Sequence, residues 1–386
     1  MPSANRYPRP SCLSPGCSSC TYRSHWCSTI SGATRASSSP PRSATRSWGW
    51  SAMSGSDARF RSMPVRRLVT IPLFLLATGI VTLLLPAIVV VGAALSLVPA
   101  LRGTLRTLLF LTGYLWCETI GILVSILIWV RYRDQGAFLA ANYRLQCWWA
   151  NALKRLAEVL FQLRFEITGA KALEGQAALM MPRHASIADT IIPMVFYAIP
   201  YGLRLRYVLK QELLIDPCLD IVGNRLPNLF VDRSGQDSES ARRGVAALMH
   251  GLGANEGVLI YPEGTRFSES KREALRGRQR DNAALIAQLD RWRLLMPPRL
   301  GGTLALLDSN PGRDLVFCAH TGFEGSSHFS NLLNGGWVGA QVRIHFWRVP
   351  FDVIPTKQDE RVTFLFEQWD LMEKSVERLR TAAPAT

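Results

Sequence analysis

Two long apolar stretches lie near the N-terminus, and short apolar segments alternate with mixed ones along the rest of the chain. From Leu68 to Leu101 no residue is charged, a run of 34, whereas one membrane-spanning helix needs about 20. Pro72, Pro86 and Pro99 punctuate the run. It reads either as one long tilted helix or as a re-entrant pair bent at Pro86. Thr107 to Val130 is equally apolar apart from Glu118. An acid at that depth calls for a partner helix, a polar cavity or a proton. Arg59, Arg61, Arg66 and Arg67 precede the first stretch, and Arg131, Arg133, Arg144, Lys154 and Arg155 follow the second. Only Arg102 and Arg106 lie between, which predicts a hairpin with both ends cytoplasmic.

Residues 141–163 place Leu145, Trp148, Trp149, Leu153, Leu156 and Leu160 at helical spacing. This predicts an amphipathic helix, packed on a core or lying in the lipid interface. Strands are predicted at 164–168, 177–182, 203–209, 228–232, 257–261, 314–320 and 341–349. Helices are predicted at 186–197, 237–252, 271–290 and 358–380. The alternation predicts an α/β domain with a mixed, largely parallel sheet flanked by helices, preceded by an N-terminal transmembrane helical hairpin. The expected boundaries are a tail over 1–62, a membrane region of about two spans over 63–134, and a globular domain over 135–386.

Composition narrows the classes. Hydrophobic residues make up 48% of the chain, which excludes a mostly disordered protein. A mean hydropathy of +0.09 fits a soluble-type domain with a small membrane part. The net charge is +15, but residues 1–67 carry ten arginines against one acid. The remainder is only mildly basic, which argues against a nucleic-acid partner. Residues 1–56 hold 16 serines, no acid and no periodicity. They read as a disordered tail or as an over-extended start, with initiation at Met53 or Met63. The eight cysteines show no paired framework and are expected to be reduced in a cytoplasmic setting. Cys17 and Cys20 lack the second pair that a zinc site would need.

Three turns carry candidate chemistry. An apolar strand runs through Pro182 into Arg183-His184-Ala185-Ser186-Ile187-Ala188-Asp189. Ser186 and Asp189 have capping-box spacing, which puts His184 ahead of a helix start at the carboxyl end of a strand. Asp189 there can orient an imidazole that takes a proton. A second strand ends in Tyr261-Pro262-Glu263-Gly264-Thr265-Arg266. Gly264 permits positive φ or close approach. Thr265 and Arg266 can hold phosphate oxygens, and Glu263 can accept from a hydroxyl. Between these, Phe230-Val231-Asp232-Arg233 presents another cation, and Pro297-Pro298-Arg299 a fourth. Taken singly, each turn also has a plain structural reading. Together they offer a base, an acid and anion anchors, suited to proton removal from a hydroxyl of an anionic substrate. There is no G-x-S-x-G serine and no cysteine beside the histidine, which disfavours a covalent acyl-enzyme.

With these motifs the chain resembles the 1-acylglycerol-3-phosphate acyltransferases of glycerolipid synthesis. The H-x4-D motif is His184 to Asp189, F-x-D-R is Phe230 to Arg233, and E-G-T-R is Glu263 to Arg266. The resemblance covers about residues 141–350. It implies that 135–386 is an acyltransferase catalytic domain in which His184 is the general base and Asp189 supports it. Arg233, Arg266 and Arg299 would hold phosphate, and Glu263, Gly264 and Thr265 would shape the acceptor site. The family commonly has Asn before the histidine; here Arg183 stands there, a cation that could bind phosphate itself. The implied reaction moves a fatty acyl group from acyl-CoA or acyl carrier protein to the sn-2 hydroxyl of lysophosphatidic acid. No metal and no cofactor beyond the acyl co-substrate are expected. The alternatives are another lysophospholipid acceptor, or a membrane-bound lysophospholipase or thioesterase. The expected partners are a lipid bilayer, the lysophospholipid and the acyl donor. The expected place is a bacterial inner membrane with the catalytic domain cytoplasmic.

Overall fold

The computed structural model describes residues 57–232, 238–324 and 329–382. The expectation of a tail over 1–62 lies outside it as far as residue 56, and so does Arg233. The first apolar stretch forms α1 (Asp57–Leu83) and α2 (Leu85–Ser96). Helical hydrogen bonds continue across the break, from the Leu84 amide to Ile80 O and from the Ile88 amide to Leu84 O, each 2.9 Å. The bend falls beside Pro86, which has no N–H to donate. α1 and α2 are thus joined end to end through the turn at Leu84. After a turn at 99–103, α3 (Thr104–Arg131) returns antiparallel. Thr78 Oγ1 meets Thr119 Oγ1 at 2.9 Å, and the Leu105 amide donates to Ser96 Oγ at 3.1 Å.

The helix α4 (Gln135–Phe161) starts with Asp134, whose carboxylate caps the Ala137 amide, and covers the predicted amphipathic segment. The chain then builds β1 (Arg164–Thr168), β2 (Leu179–Pro182), β3 (Arg204–Lys210), α5 (Pro217–Arg225), β4 (Leu229–Val231), α6 (Ser238–Ala247) and β5 (Glu256–Leu259). It continues through α7 (Glu269–Arg278), α8 (Ala283–Arg291), α9 (Leu300–Asp308), β6 (Leu315–Thr321), α10 (Phe329–Leu333), β7 (Gln341–Val349) and α11 (Gln358–Thr381). The seven strands lie in the order β1-β7-β6-β2-β5-β3-β4. Every neighbouring pair is parallel except β6 and β7. The sheet is thus mixed and largely parallel, as the alternation of segments implied.

Burial follows from strand position. All residues of β2 and β6 are buried, because helices cover both faces at the sheet centre. Met180, Leu259, Val316 and Cys318 pack towards α4 with Phe161 and Tyr197. Leu179, Met181, Val258 and Phe317 pack the other way, with Val245, Leu304 and Trp369 from α6, α9 and α11. The result is a sheet between two helical layers.

Two predicted elements differ. Residues 186–197 do not form one α-helix. A 3-10 turn at Ala188–Ile191 leads into a π turn at Met194–Ala198, because Pro193 cannot donate in a helical ladder. The segment 271–290 is two helices, since Asn282 caps α8 with a bond from the Leu285 amide at 3.0 Å. The helices α5 and α9 were not expected at all, although Asp216 followed by Pro217 is a legible helix start.

By length and composition two helical stretches could cross a membrane, Val65–Leu83 and Pro99–Arg131. However, α3 does not stand clear of the domain. Its Thr107, Glu118, Gly121, Ser125 and Ile128 face are buried, and polar bonds run along it. Arg106 reaches Leu160 O, Glu118 accepts from Trp149 Nε1 at 2.7 Å and the Cys218 amide at 3.0 Å, and Arg225 reaches Ser125 O. The opposite face of the hairpin exposes Leu68, Leu76, Leu83, Val90, Leu97 and Leu127.

Candidate active site

Parallel pairing sets the site. Pro182 lies opposite Cys318 and Met180 opposite Leu259. Four residues past Met180, His184 is therefore level with Glu263, and two past Pro182 it is level with His320. Because β2, β5 and β6 point the same way, all three side chains emerge at one edge, at the carboxyl ends of the strands.

His184 Nδ1 is 3.0 Å from Asp189 Oδ1. Asp189 Oδ2 accepts from the Ala185 and Ser186 amides at 2.6 and 2.7 Å. The Ser186 bond is the carboxylate half of the capping box that the S-x-x-D spacing implied. Burial alone would raise the Asp189 pKa, but the His184 imidazole and the His320 side chain outweigh it and hold the carboxylate well below its ordinary range. With Nδ1 turned to Asp189, His184 Nε2 has no hydrogen-bond partner among the described residues. The Tyr261 ring lies against the imidazole with centroids 4.4 Å apart, and its hydroxyl donates to Asp189 O at 3.2 Å.

Glu263 does not offer its carboxylate to a ligand. It is buried, and it accepts from the His184 amide at 2.7 Å and the Met296 amide at 3.0 Å. Burial pushes its pKa up to about 8, against the pull of those amides and of Arg183. Its place is to pin β2, β5 and the 294–297 segment around His184. Gly264 has φ 65°, and a Cβ there would come within 2.7 Å of Arg299 Cδ. A side chain there is opposed by backbone strain, and Arg299 would have to move aside.

Arg183 requires a correction. Expected as a phosphate ligand, it is fully buried and engaged. Its Nη1 donates to Glu324 and to His320 O, each at 2.6 Å, and Nη2 to Leu294 O at 3.1 Å. This cation ties β2 to β6; it cannot reach a substrate from there.

Arg299 does face open space. With Tyr261, Gly264, Gly301, Thr303 and Arg242 it lines a cavity of about 350 Å³. Thr265 and Arg266 follow in a half-buried turn and are not among its lining residues. Arg242, on α6, is a cation the motif reading did not single out; only tertiary packing brings it here. Among the described residues, no group of three or more His, Cys, Asp or Glu is placed to hold a metal ion.

The sequence profile of the Acyltransferase family matches residues 164–291, which contain His184, Asp189 and Glu263 to Arg266. Over those residues the chain is similar to that family. A mouse protein named 1-acyl-sn-glycerol-3-phosphate acyltransferase epsilon is 22% identical over 267 residues, covering 64% of this chain and 72% of that protein. The crystal structure of the 1-acyl-sn-glycerophosphate (LPA) acyltransferase PlsC from Thermotoga maritima superposes with a TM-score of 0.51 at 14% identity. That match covers 74% of this chain and all of the other, and it establishes a shared fold. Arg299, His320 and Glu324 lie beyond the matched profile yet close the site.

Proposed function

We propose that the acyltransferase domain moves a fatty acyl group from acyl-CoA or acyl carrier protein to the sn-2 hydroxyl of lysophosphatidic acid, giving phosphatidic acid. The observation that carries this is His184. Asp189 fixes its Nδ1, and its unpartnered Nε2 is left for a hydroxyl at the sheet edge where Tyr261 borders a cavity with two arginines. The acceptor O–H gives its proton to Nε2 as its oxygen attacks the thioester carbonyl carbon. The C–S bond then breaks, and the leaving thiolate takes the proton back from the imidazolium. Asp189 stabilises that imidazolium and keeps Nδ1 protonated. The acyl thioester is consumed as co-substrate, so no resident cofactor enters the cycle.

Arg299 and Arg242 suit an anionic headgroup in the cavity, with Arg266 in the neighbouring turn, and Arg233 outside the described residues, as further candidates. The exposed apolar face of α1–α3 suits a lipid bilayer, in which both acceptor tail and product reside. Because α3 lies along the domain, that face meets the membrane beside the domain rather than on a stalk, with the domain on the cytoplasmic side.

The test offers labelled acyl-CoA and acyl carrier protein with a panel of lysolipids to membranes holding the full chain or His184→Ala. Label in phosphatidic acid that the variant loses supports the reading. Label in another lysolipid product moves the acceptor. Free fatty acid as the only product replaces the transferase with a hydrolase.

A further inference from the structure

A second histidine faces the same carboxylate. His320, at the end of β6, is fully buried. Its Nε2 is 3.1 Å from Arg183 O and 3.5 Å from Asp189 Oδ2. A backbone carbonyl and a carboxylate can only accept, so Nε2 must carry a hydrogen. Among the described residues, His320 Nδ1 is buried with no hydrogen-bond partner. A proton there would leave an unsatisfied donor and a buried cation, and Arg183 already bonds the carbonyl of His320 itself. The charged and titratable groups around the ring are Asp189 and His184 on the 183–189 turn, Arg183 at the end of β2, Glu324 after β6, and the Cys318 thiol on β6, which burial pushes up. Glu324 is paired to Arg183 and to the Gly322 amide.

We propose that His320 is a positioning residue for the reaction, a permanently neutral imidazole whose Nε2–H clamps Asp189 and the Arg183 carbonyl so that His184 alone changes charge. This rests on the acyl-transfer reading for its kinetic consequence, but not for its structural one. Asp189 Oδ2 then receives two amide N–H bonds with the imidazole N–H 3.5 Å away, and Oδ1 is kept for His184. A neutral donor holds the carboxylate in place without cancelling the charge that the His184 imidazolium needs. If His320 were cationic instead, Asp189 would be shared between two imidazolium ions.

Two measurements on the full chain in detergent or nanodiscs test this. The first is the ¹⁵N spectrum of histidine-labelled protein across about pH 5–9, the range in which imidazoles change charge, with His184→Ala and His320→Gln assigning the signals. The expected result is a His320 imidazole fixed as the neutral Nε2–H tautomer throughout. A His320 signal that becomes imidazolium in that range, or shows the Nδ1–H tautomer, overturns the proposal. This measurement needs no substrate, so it stands even if no acyl transfer is found.

The second measurement compares His320→Leu with His320→Gln, whose side-chain amide can donate from nearly the place of Nε2. The Leu variant should lose about 10- to 100-fold in kcat, a part of the 10²–10⁴ that a positioned base supplies, with KM little changed. The Gln variant should recover most of that rate. Equal loss in both variants at equal melting temperatures would overturn the donor role, as would a fall confined to KM.

Discussion

Two carboxylates, Asp189 and Asp220, are equally cut off from water and are held in opposite ways. Asp220, on α5, takes Arg66 Nη2 at 2.8 Å, Arg67 Nε at 3.1 Å and Asn224 Nδ2 at 2.9 Å. Two guanidinium groups from the base of α1 over-neutralise one acid, and the bond they make is a rivet between the hairpin and the domain. Among the described residues, Asp189 touches no arginine or lysine. Its charge rests on amide N–H groups and imidazole donors, while Arg183, the guanidinium at the start of the same turn, is committed to Glu324. Neutral dipoles stabilise a charge without cancelling it. Asp189 can therefore still attract an imidazolium, whereas Asp220 has nothing left to lend. The same residue type serves as machinery or as fastener according to whether its partners are neutral or charged.

Variants at the two acids and their surroundings can break this contrast. The largest effect belongs to His184. His184→Ala should cost about 10²–10⁴-fold in acyl transfer while leaving the melting temperature near wild type, because a general base contributes to rate rather than to folding. Parallel kinetics and melting curves check both halves. Asp220→Ala should do the reverse. It should destabilise the fold by about 2–4 kcal/mol, below the full cost of a broken buried pair because both arginines are partly exposed. Transfer per folded molecule should hardly change. A large fall in specific activity with intact stability would mean that the rivet also serves the reaction.

Glu263 sharpens the comparison from a third side. In Glu263→Gln an amide N–H₂ must face a backbone N–H, so one buried donor goes unsatisfied at about 1–3 kcal/mol. The pH dependence should change as well. An acid whose pKa is raised from 4.5 to about 8 in the fold binds more protons folded than unfolded. Its contribution is intact below pH 4.5 and is lost as pH rises through about 8. Denaturant titrations should show that downward slope in the wild type and a flatter profile in the Gln variant. Asp189 has the opposite sign: its lowered pKa stabilises the fold above the ordinary carboxylate range, and that contribution disappears as pH falls below it. The smallest effect is expected at the exposed Arg299. Arg299→Ala should raise KM for an anionic acceptor about tenfold, equivalent to about 1.4 kcal/mol, with kcat nearly unchanged. An effect on kcat alone would place Arg299 at the reacting atoms instead of at the headgroup.

Much of the fold could be read from the chain because its signals are local. Period-two and continuous apolar runs marked every strand of the sheet, and the strand ends carried the polar turns. The errors fell where local signals conflict. Helical spacing hid Pro193 and the turn it imposes after Asp189, and two glycines concealed α9, whose stability comes from packing on α6 and α11. The site divides in the same way. His184, Asp189 and Gly264 sit in short motifs whose spacing speaks directly. Arg183 looked like an anion ligand because its neighbour in sequence is the base, and nothing local announces Glu324 or Leu294 O. Glu263 looked like a substrate contact because the amides that consume it come from residues 79 and 33 positions away.

The sequence by itself determined the alternating elements, the apolar hairpin and the pairing of a histidine with an aspartate five residues on, since hydrophobic period, proline and cap chemistry act over a few residues. Which charges are spent and which remain for chemistry was decided only by tertiary structure. A guanidinium or carboxylate has the same composition in either role, and its partners arrive from segments 33 to 154 residues away.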